Sequence, residues 1–375
     1  MLTLILKGTN GCNLNCAYCS LGEKPRHDTV SAQMLKQIFE YACGICVQRK
    51  DFRLEIILHG GEPTLVPVDV YETAIRHVQL QFPEIKIGIS MQTNAYVLSD
   101  DFLSFLQRYH VNVGVSVDGS EKIHNVERKS RTGQDTFEPV AKNIERMQLA
   151  GLSVSGLMVL TSIGVSAPLD YLSYYASRNI HLKINPLLNY GEACKNPELA
   201  IRKGDYANYL IRVYEYILAN KLEVTISPID KILQAILARG KIRECTFNAD
   251  CNYGFLCIDH IGDIYPCGKF SDVHDFKLGN VLSQSADFLD SSYFQMLTAR
   301  RSCSLPAKCK KCKYGNLCHA GCSAEASIEG DLGETPFLCD DYRILFDYFS
   351  STGLYLLRKQ LLERKGILME SQNGI

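Results

Sequence analysis

Three cysteines, Cys12, Cys16 and Cys19, fall together in GCNLNCAYCS, directly after an apolar run that reads as a strand. Three thiols so close can close no more than one disulfide among themselves, and a structural zinc site takes four protein ligands. The spacing C-x3-C-x2-C suits a metal cluster that keeps one corner for something other than protein; the plainer alternative is a three-thiol zinc site completed by a distant His or Cys. A second concentration lies toward the other end, where ten of the 16 cysteines fall between Cys245 and Cys339. There CKKCKYGNLCHAGC sets out Cys309, Cys312, Cys318 and Cys322 as C-x2-C-x5-C-x3-C, with Cys339 downstream and CTFNADCNYGFLCIDHIGDIYPC upstream. Knuckles of the CxxC kind also bind zinc, so a zinc ribbon, or an iron–sulfur scaffold or electron carrier, is the alternative of another class.

Composition supports metal ligation over disulfides. The start MLTLILKGTN lacks a signal peptide's basic region, and no apolar run approaches the roughly 20 residues of a spanning helix, so a cytoplasmic protein is expected. Reducing cytosol does not maintain a disulfide framework. With 40 Lys+Arg against 41 Asp+Glu the net charge is -1, which gives no global attraction to nucleic acid or an anionic membrane but leaves room for a local basic patch. A chain of 375 residues predicts two or three domains.

The elements that must hold these thiols follow a βα rhythm. Strand patterns at LTLILKG, FRLEIILHGG, IKIGISMQTN, VNVGVSVDG, LSVSGLMVLTS and HLKINPLLN alternate with helical patterns at 31–50, near 100–108, near 136–149 and near 168–178. Such alternation predicts parallel pairing in an open or closed α/β barrel, with the ligand at the carboxyl ends of the strands. A helical stretch near 203–239 precedes short Gly- and Cys-rich pieces. The expected organisation is therefore a barrel over 1–240, a cysteine-rich domain over 241–345 and a C-terminal helix over 346–375. Cys43 and Cys46, three apart on one helix face, are expected in the core, and Cys194 as an ordinary thiol.

At Cys12, Cys16 and Cys19 the chain resembles the radical S-adenosylmethionine superfamily, whose fold is a partial (βα)6 barrel. The resemblance implies that the three thiolates hold three irons of a [4Fe-4S] cluster, that the fourth iron chelates S-adenosylmethionine, and that electron transfer into the sulfonium releases a 5'-deoxyadenosyl radical. It implies that HGGEP contacts the methionine amino group, with Gly60 and Gly61 letting the backbone approach and Glu62 accepting from the ammonium. The segment SVDGSEKIHNVERKSRTGQDTF resembles one in anaerobic sulfatase-maturase-like enzymes that supplies a ribose-contacting serine and a carboxylate-contacting arginine, which carry to Ser116 and Arg128. Tyr18 and Leu187 would flank the nucleoside, and Gln92, Thr93 and Asn94 would help position it. The C-terminal cysteines resemble the SPASM domain with its two auxiliary [4Fe-4S] clusters. The first would use Cys245, Cys251, Cys267 and Cys322, and the second Cys309, Cys312, Cys318 and Cys339. Cys257 is an alternative to Cys251, and Cys303 has no assigned partner.

One departure bears on function. In sulfatase maturases the YPC cysteine is followed by an Asp that serves as base when a thiol or hydroxyl is oxidised to an aldehyde, whereas YPCGKF puts Gly268 there. Asp118 is the nearest motif-borne carboxylate and the candidate base, although Asp-Gly is also a common turn pair. The expected function is hydrogen abstraction from a ribosomally made peptide to install a thioether or carbon–carbon (cyclophane) crosslink, with formylglycine formation on a sulfatase as the rival; balanced charge and the two-cluster extension weigh against radical RNA methylation. The partners implied are a precursor peptide, a reductant such as flavodoxin or ferredoxin and, with no domain-sized extension before the first strand, a separate leader-peptide-binding protein; neither nucleic acid nor membrane is expected.

Overall fold

The computed structural model describes residues 1–21, 28–272, 276–283, 288–328 and 331–364. Every second residue of β1 (Leu2–Lys7) from Leu2, and of β2 (Arg53–His59) from Leu54, is buried, the period a strand imposes on its side chains. β3 (Lys86–Thr93), β4 (Asn112–Ser116), β5 (Val154–Leu160) and β6 (His181–Pro186) follow, and each pairs in parallel with the strand before it. Parallel neighbours need crossovers, and the helices Ala32–Gln48, Val68–Gln81, Asp100–Arg108, Phe137–Leu149 and Leu172–Ser177 supply them. Ser31 and Ser99 cap two of these helices by accepting from the amides of Met34 and Phe102. The result is the expected partial (βα)6 barrel, its strands in chain order. Cys43 and Cys46 lie in its core, as expected.

The expected break near 240 coincides with the end of the helix Ile229–Ala238, but the sheet does not stop there. Phe255–Asp259, which contains the strand-like FLCID, pairs in parallel with the free edge of β1, and Asp263–Tyr265 and Gly279–Asn280 extend it antiparallel. The cysteine-rich extension therefore continues the barrel sheet, and its thiols are carried across the strand ends. The stretch near 203–239 is two helices, Asp205–Ala219 and Ile229–Ala238, with the short strand Ile226–Ser227 between them.

The C-terminal helix also differs from expectation. It is two helices, Cys339–Ser350 and Thr352–Arg364, separated at Ser351. The first begins on a predicted metal ligand, and fully buried Asp341 accepts from the amides of Gly204 (3.0 Å) and Ala207 (2.9 Å) at the start of Asp205–Ala219. A carboxylate at a helix N-terminus satisfies unpaired amides and the positive end of the helix dipole, so this segment is fastened to the barrel rather than appended at 346. Positions 365–375 of the expected C-terminal unit lie outside the described residues. Among the described residues no helix is long and apolar enough to cross a membrane.

Candidate active site

The cysteine loop is held by the turn that follows β2. The amides of Gly61 and Glu62 donate to the carbonyls of Thr9 (2.8 Å) and Gly11 (2.9 Å). A Cβ on Gly60, whose φ is +120°, would lie 2.3 Å from the Thr9 carbonyl oxygen, and one on Gly61 would lie 2.0 Å from that of Gly11. The backbone that these glycines allow to approach is therefore that of the cysteine loop. Glu62 is fully buried and accepts from the Thr64 amide (3.1 Å) and hydroxyl (2.9 Å), the Thr93 hydroxyl (2.6 Å) and the Asn94 amide (2.8 Å). Burial raises its pKa against the pull of these bonds. Glu62 thus ties the β2 turn to the end of β3, and the expectation that it offers an open acceptor to an ammonium gives way to this framing role. Asn94 donates to Asn13 Oδ1 (2.7 Å) and reaches Cys12 Sγ (3.7 Å), which steadies the loop from the other side.

A short antiparallel ladder, Leu14–Cys16 against Arg128–Ser130, sets Arg128 opposite Cys16. The guanidinium donates through Nε to Asp118 Oδ2 (2.6 Å), contacts Cys16 Sγ (3.8 Å) and lies 5.2 Å from the centre of the Tyr18 ring. Asp118, fully buried, also accepts from the Tyr18 hydroxyl and the Val159 amide (2.9 Å). Burial opposes charge on Arg128, but Asp118, Tyr18 and Cys16 together outweigh it and hold the arginine pKa above its ordinary value. A carboxylate paired with arginine and committed to two further donors is not placed to take a substrate proton, so Asp118 is a buried counterion rather than the expected base. Beside it Glu127, hydrogen-bonded to the Thr161 hydroxyl, has its second carboxylate oxygen unpartnered, and burial followed by the Asp118 charge pushes its pKa to about 8.

Over the strand ends a cavity of about 460 Å³ joins the N-terminal loop to the extension. On one side it is lined by Cys16, Cys19, Tyr18, Gln92, Ser116, Arg128 and Leu187. Gln92 donates to Ser116 Oγ (2.9 Å) across β3 and β4, in room left by Gly114, where a Cβ would lie 2.4 Å from Gln92 Oε1. Five of the predicted cofactor-side residues, Tyr18, Gln92, Ser116, Arg128 and Leu187, therefore line this cavity, while Gly60, Gly61, Glu62, Asn94 and Asp118 are not among its lining.

The opposite wall carries Cys245, Cys251, Cys267 and Cys322. Burial first and then the Cys322 thiol push Cys267 up to about 12, while burial, with Glu325 and Cys245 behind it, pushes Cys322 up to about 11 against the pull of Lys269. Cations crowd this quartet: Arg301 donates to Cys251 Sγ (2.6 Å), and Lys269 lies 3.9 Å from Cys322 Sγ while paired with Glu325 at 2.8 Å. Cys257 packs instead with Tyr265, Phe270, Leu297 and Ala324. The second predicted set, Cys309, Cys312, Cys318 and Cys339, lines a separate cavity of about 760 Å³, and burial with the other three thiols pushes Cys318 to about 12. Thiols gathered closely enough to help push up Cys267, Cys322 and Cys318 form donor sets that a cationic iron–sulfur core relieves, because coordination holds each as thiolate. No three His, Cys, Asp or Glu among the described residues are close enough to hold a single ion, whereas a four-iron core spreads its thiolates over separate irons. The residues thus fit clusters better than mononuclear zinc.

Sequence reasoning missed Lys7, His59, Lys183, Lys269 and Arg301 on the cavity wall. His59 precedes GGEP and Lys269 follows the YPCG turn, so proximity to motifs was their signal; Lys7, Lys183 and Arg301 carried none. His59 Nδ1 accepts from the Gly60 amide (2.7 Å), which puts the neutral ring's proton on Nε2.

Comparison with known proteins agrees with this geometry. The Radical SAM superfamily model matches residues 6–165, and the SPASM iron-sulfur cluster-binding domain matches 245–313. The chain is 28% identical over 368 residues to the cysteine-type anaerobic sulfatase-maturating enzyme of Clostridium perfringens (strain ATCC 13124), covering 92% of this chain and 96% of that protein. It is 23% identical to the serine-type enzyme of Bacteroides thetaiotaomicron, covering 94% and 90%. The solved structure of native anSMEcpe with bound AdoMet and Cp18Cys peptide superimposes with a TM-score of 0.80 at 23% identity, over 96% of this chain and 99% of that one. Streptococcus suis SuiB bound to its precursor peptide SuiA gives 0.64 at 16% identity, over 90% and 76%.

Proposed function

Because the chain is a radical S-adenosylmethionine enzyme with a SPASM extension that acts on a protein or peptide, we propose that it oxidises a ribosomally made peptide in the cytoplasm and closes a thioether or carbon–carbon crosslink. Three [4Fe-4S] clusters would be held by Cys12, Cys16 and Cys19, by Cys245, Cys251, Cys267 and Cys322, and by Cys309, Cys312, Cys318 and Cys339. S-Adenosylmethionine, bound at the first of these, supplies the radical that takes hydrogen from the substrate. Tyr18, Gln92, Ser116 and Leu187 hold the nucleoside, and Arg128 supports the methionine end. The substrate reaches the wall where Cys267 and Gly268 face this site. A flavodoxin or ferredoxin supplies the electrons.

The observation that carries the crosslinking reading is Gly268. It lines the cavity at the position where sulfatase maturases have their basic Asp, and a Cβ there would meet only Ile5, at 3.6 Å, an ordinary contact. Its φ lies outside the range that demands glycine. Neither backbone nor packing excludes a carboxylate, yet no Asp or Glu is among the described residues lining this cavity. Aldehyde formation lacks its proton acceptor here, whereas a substrate thiol bound to a metal is deprotonated by coordination.

The second reading is formylglycine formation, favoured by the end-to-end likeness to both sulfatase-maturase types. Mass spectrometry separates the two. A crosslinked precursor loses two hydrogens and keeps every sulfur and oxygen atom, whereas Cys-to-formylglycine conversion removes sulfur and a hydrazine captures the aldehyde. Efficient aldehyde formation on a sulfatase peptide by the unmodified enzyme would overturn the crosslinking assignment; Gly268→Asp is expected to raise aldehyde yield from a low base.

A further inference from the structure

The second quartet lies near the surface under a collar of positive charge. The mouth of its cavity carries the exposed residues Lys203, Lys308, Lys311, Lys313 and Arg343, and Lys310 is exposed between Cys309 and Cys312. Facing these six cations are three exposed carboxylates. Asp347 holds Lys313 at 2.6 Å, Asp340 holds Arg343 at 3.5 Å, and Glu334 stands on the rim. Among the described residues Lys203, Lys308, Lys310 and Lys311 form no ion pair. A chain with a net charge of -1 has thus placed a local positive excess where its outer thiols approach solvent. The first quartet differs: its lysines, Lys183 and Lys269, are paired with Glu244 and Glu325.

We infer that this lysine collar is the docking surface for an acidic one-electron carrier protein; the inference rests on the reading that Cys309, Cys312, Cys318 and Cys339 hold a cluster. Unpaired lysines on mobile stems supply field and on-rate rather than fixed geometry, as suits a brief encounter, and redox interfaces of this kind are small. A peptide read side chain by side chain needs apolar pockets, whereas the aromatic face at this rim, Phe337, is half-buried with the Lys203 ammonium 5.8 Å from its centre. In the exchange one electron crosses: the cluster loses the electron that the carrier gains, or the reverse when the carrier arrives reduced, with no bond or proton transferred.

The test uses fully loaded protein and a flavodoxin of strongly negative net charge. Its association rate should fall steeply as salt is raised, and the triple variant Lys308→Glu, Lys310→Glu, Lys311→Glu should associate about tenfold more slowly or worse at low salt. Iron content and photoreduction by a neutral deazaflavin should stay at the parent value. Lys203→Glu, remote in sequence from the thiols, should slow association in the same direction, which keeps the test open if the triple variant loads poorly. Salt-insensitive association in fully loaded protein, or rates unchanged in both variants, would overturn the docking surface alone. Weaker capture of an acidic synthetic peptide with flavodoxin association intact would also overturn it, in favour of a peptide site. Parent protein that lacks the iron of the second quartet would remove the cluster reading beneath it.

Discussion

Arg128→Met tests whether the Asp118–Arg128 pair holds the site together or only binds cofactor. Both partners are out of solvent, with side-chain exposures of 7% and 0%, so the substitution strands a carboxylate in the interior. Breaking a buried pair from one side costs about 3–5 kcal/mol. The Tyr18 hydroxyl and the Val159 amide remain on Asp118, and charge-assisted bonds of this kind soften the loss, which places the expected cost near 3 kcal/mol. Removing the stranded charge as well, in Arg128→Met with Asp118→Asn, should return stability to within about 1 kcal/mol of the parent, because a neutral amide keeps most of the remaining bonds. Urea unfolding of the metal-free protein under anaerobic conditions measures both steps. Calorimetry on the loaded protein then separates the roles. If Arg128 acts only by framing the loop, the double variant recovers S-adenosylmethionine affinity; if the guanidinium also meets the methionine carboxylate, affinity stays down by the roughly 1.5–3 kcal/mol of a bond to a charged group. A single variant as stable as the parent would refute the buried-pair reasoning.

The folded pKa of Glu127 is about 8 against an ordinary value near 4.5, so between these pH values the folded chain keeps a proton that the unfolded chain has lost, and stability falls as pH rises through that window. Glu127→Gln cannot titrate, so its melting temperature should exceed the parent's at pH 9 and match it below pH 4.5; parallel curves across the whole range would contradict the assignment. Reconstituted protein should approach twelve irons and twelve sulfides, a triple alanine variant of Cys12, Cys16 and Cys19 should keep about two-thirds of the iron, and Cys257→Ala should keep all of it. Stoichiometric zinc without acid-labile sulfide would defeat the cluster assignment.

The barrel strands, most of the helices between them and the donor atoms were legible locally. Alternation of apolar residues in β1 to β6 is a local property, set by the two-residue period of a strand, and so are the capped helices between them. The cysteine spacings are equally local, since C-x3-C-x2-C and C-x2-C-x5-C arise within single loops. Assignment of Cys251 and Cys339 to their quartets came from resemblance alone; in the folded chain Cys251 lines the cavity over the strand ends and Cys339 the separate one.

Only tertiary structure decided what the polar residues do, because their partners lie far off in sequence. Glu62 and Asp118 looked like groups on offer to a ligand, and became targets of internal donors once Thr93 and Asn94 bonded the first and Tyr18, Arg128 and Val159 the second. The glycines of HGGEP permitted close approach as read, but the approaching backbone is the cysteine loop itself. Pairing of Phe255–Asp259 with β1 was not visible from either segment, since a strand carries no local mark of its neighbour. That pairing brings Cys245, Cys251, Cys267 and Cys322 to the cavity that Cys16 and Cys19 also line, and so joins two motifs separated by more than two hundred residues.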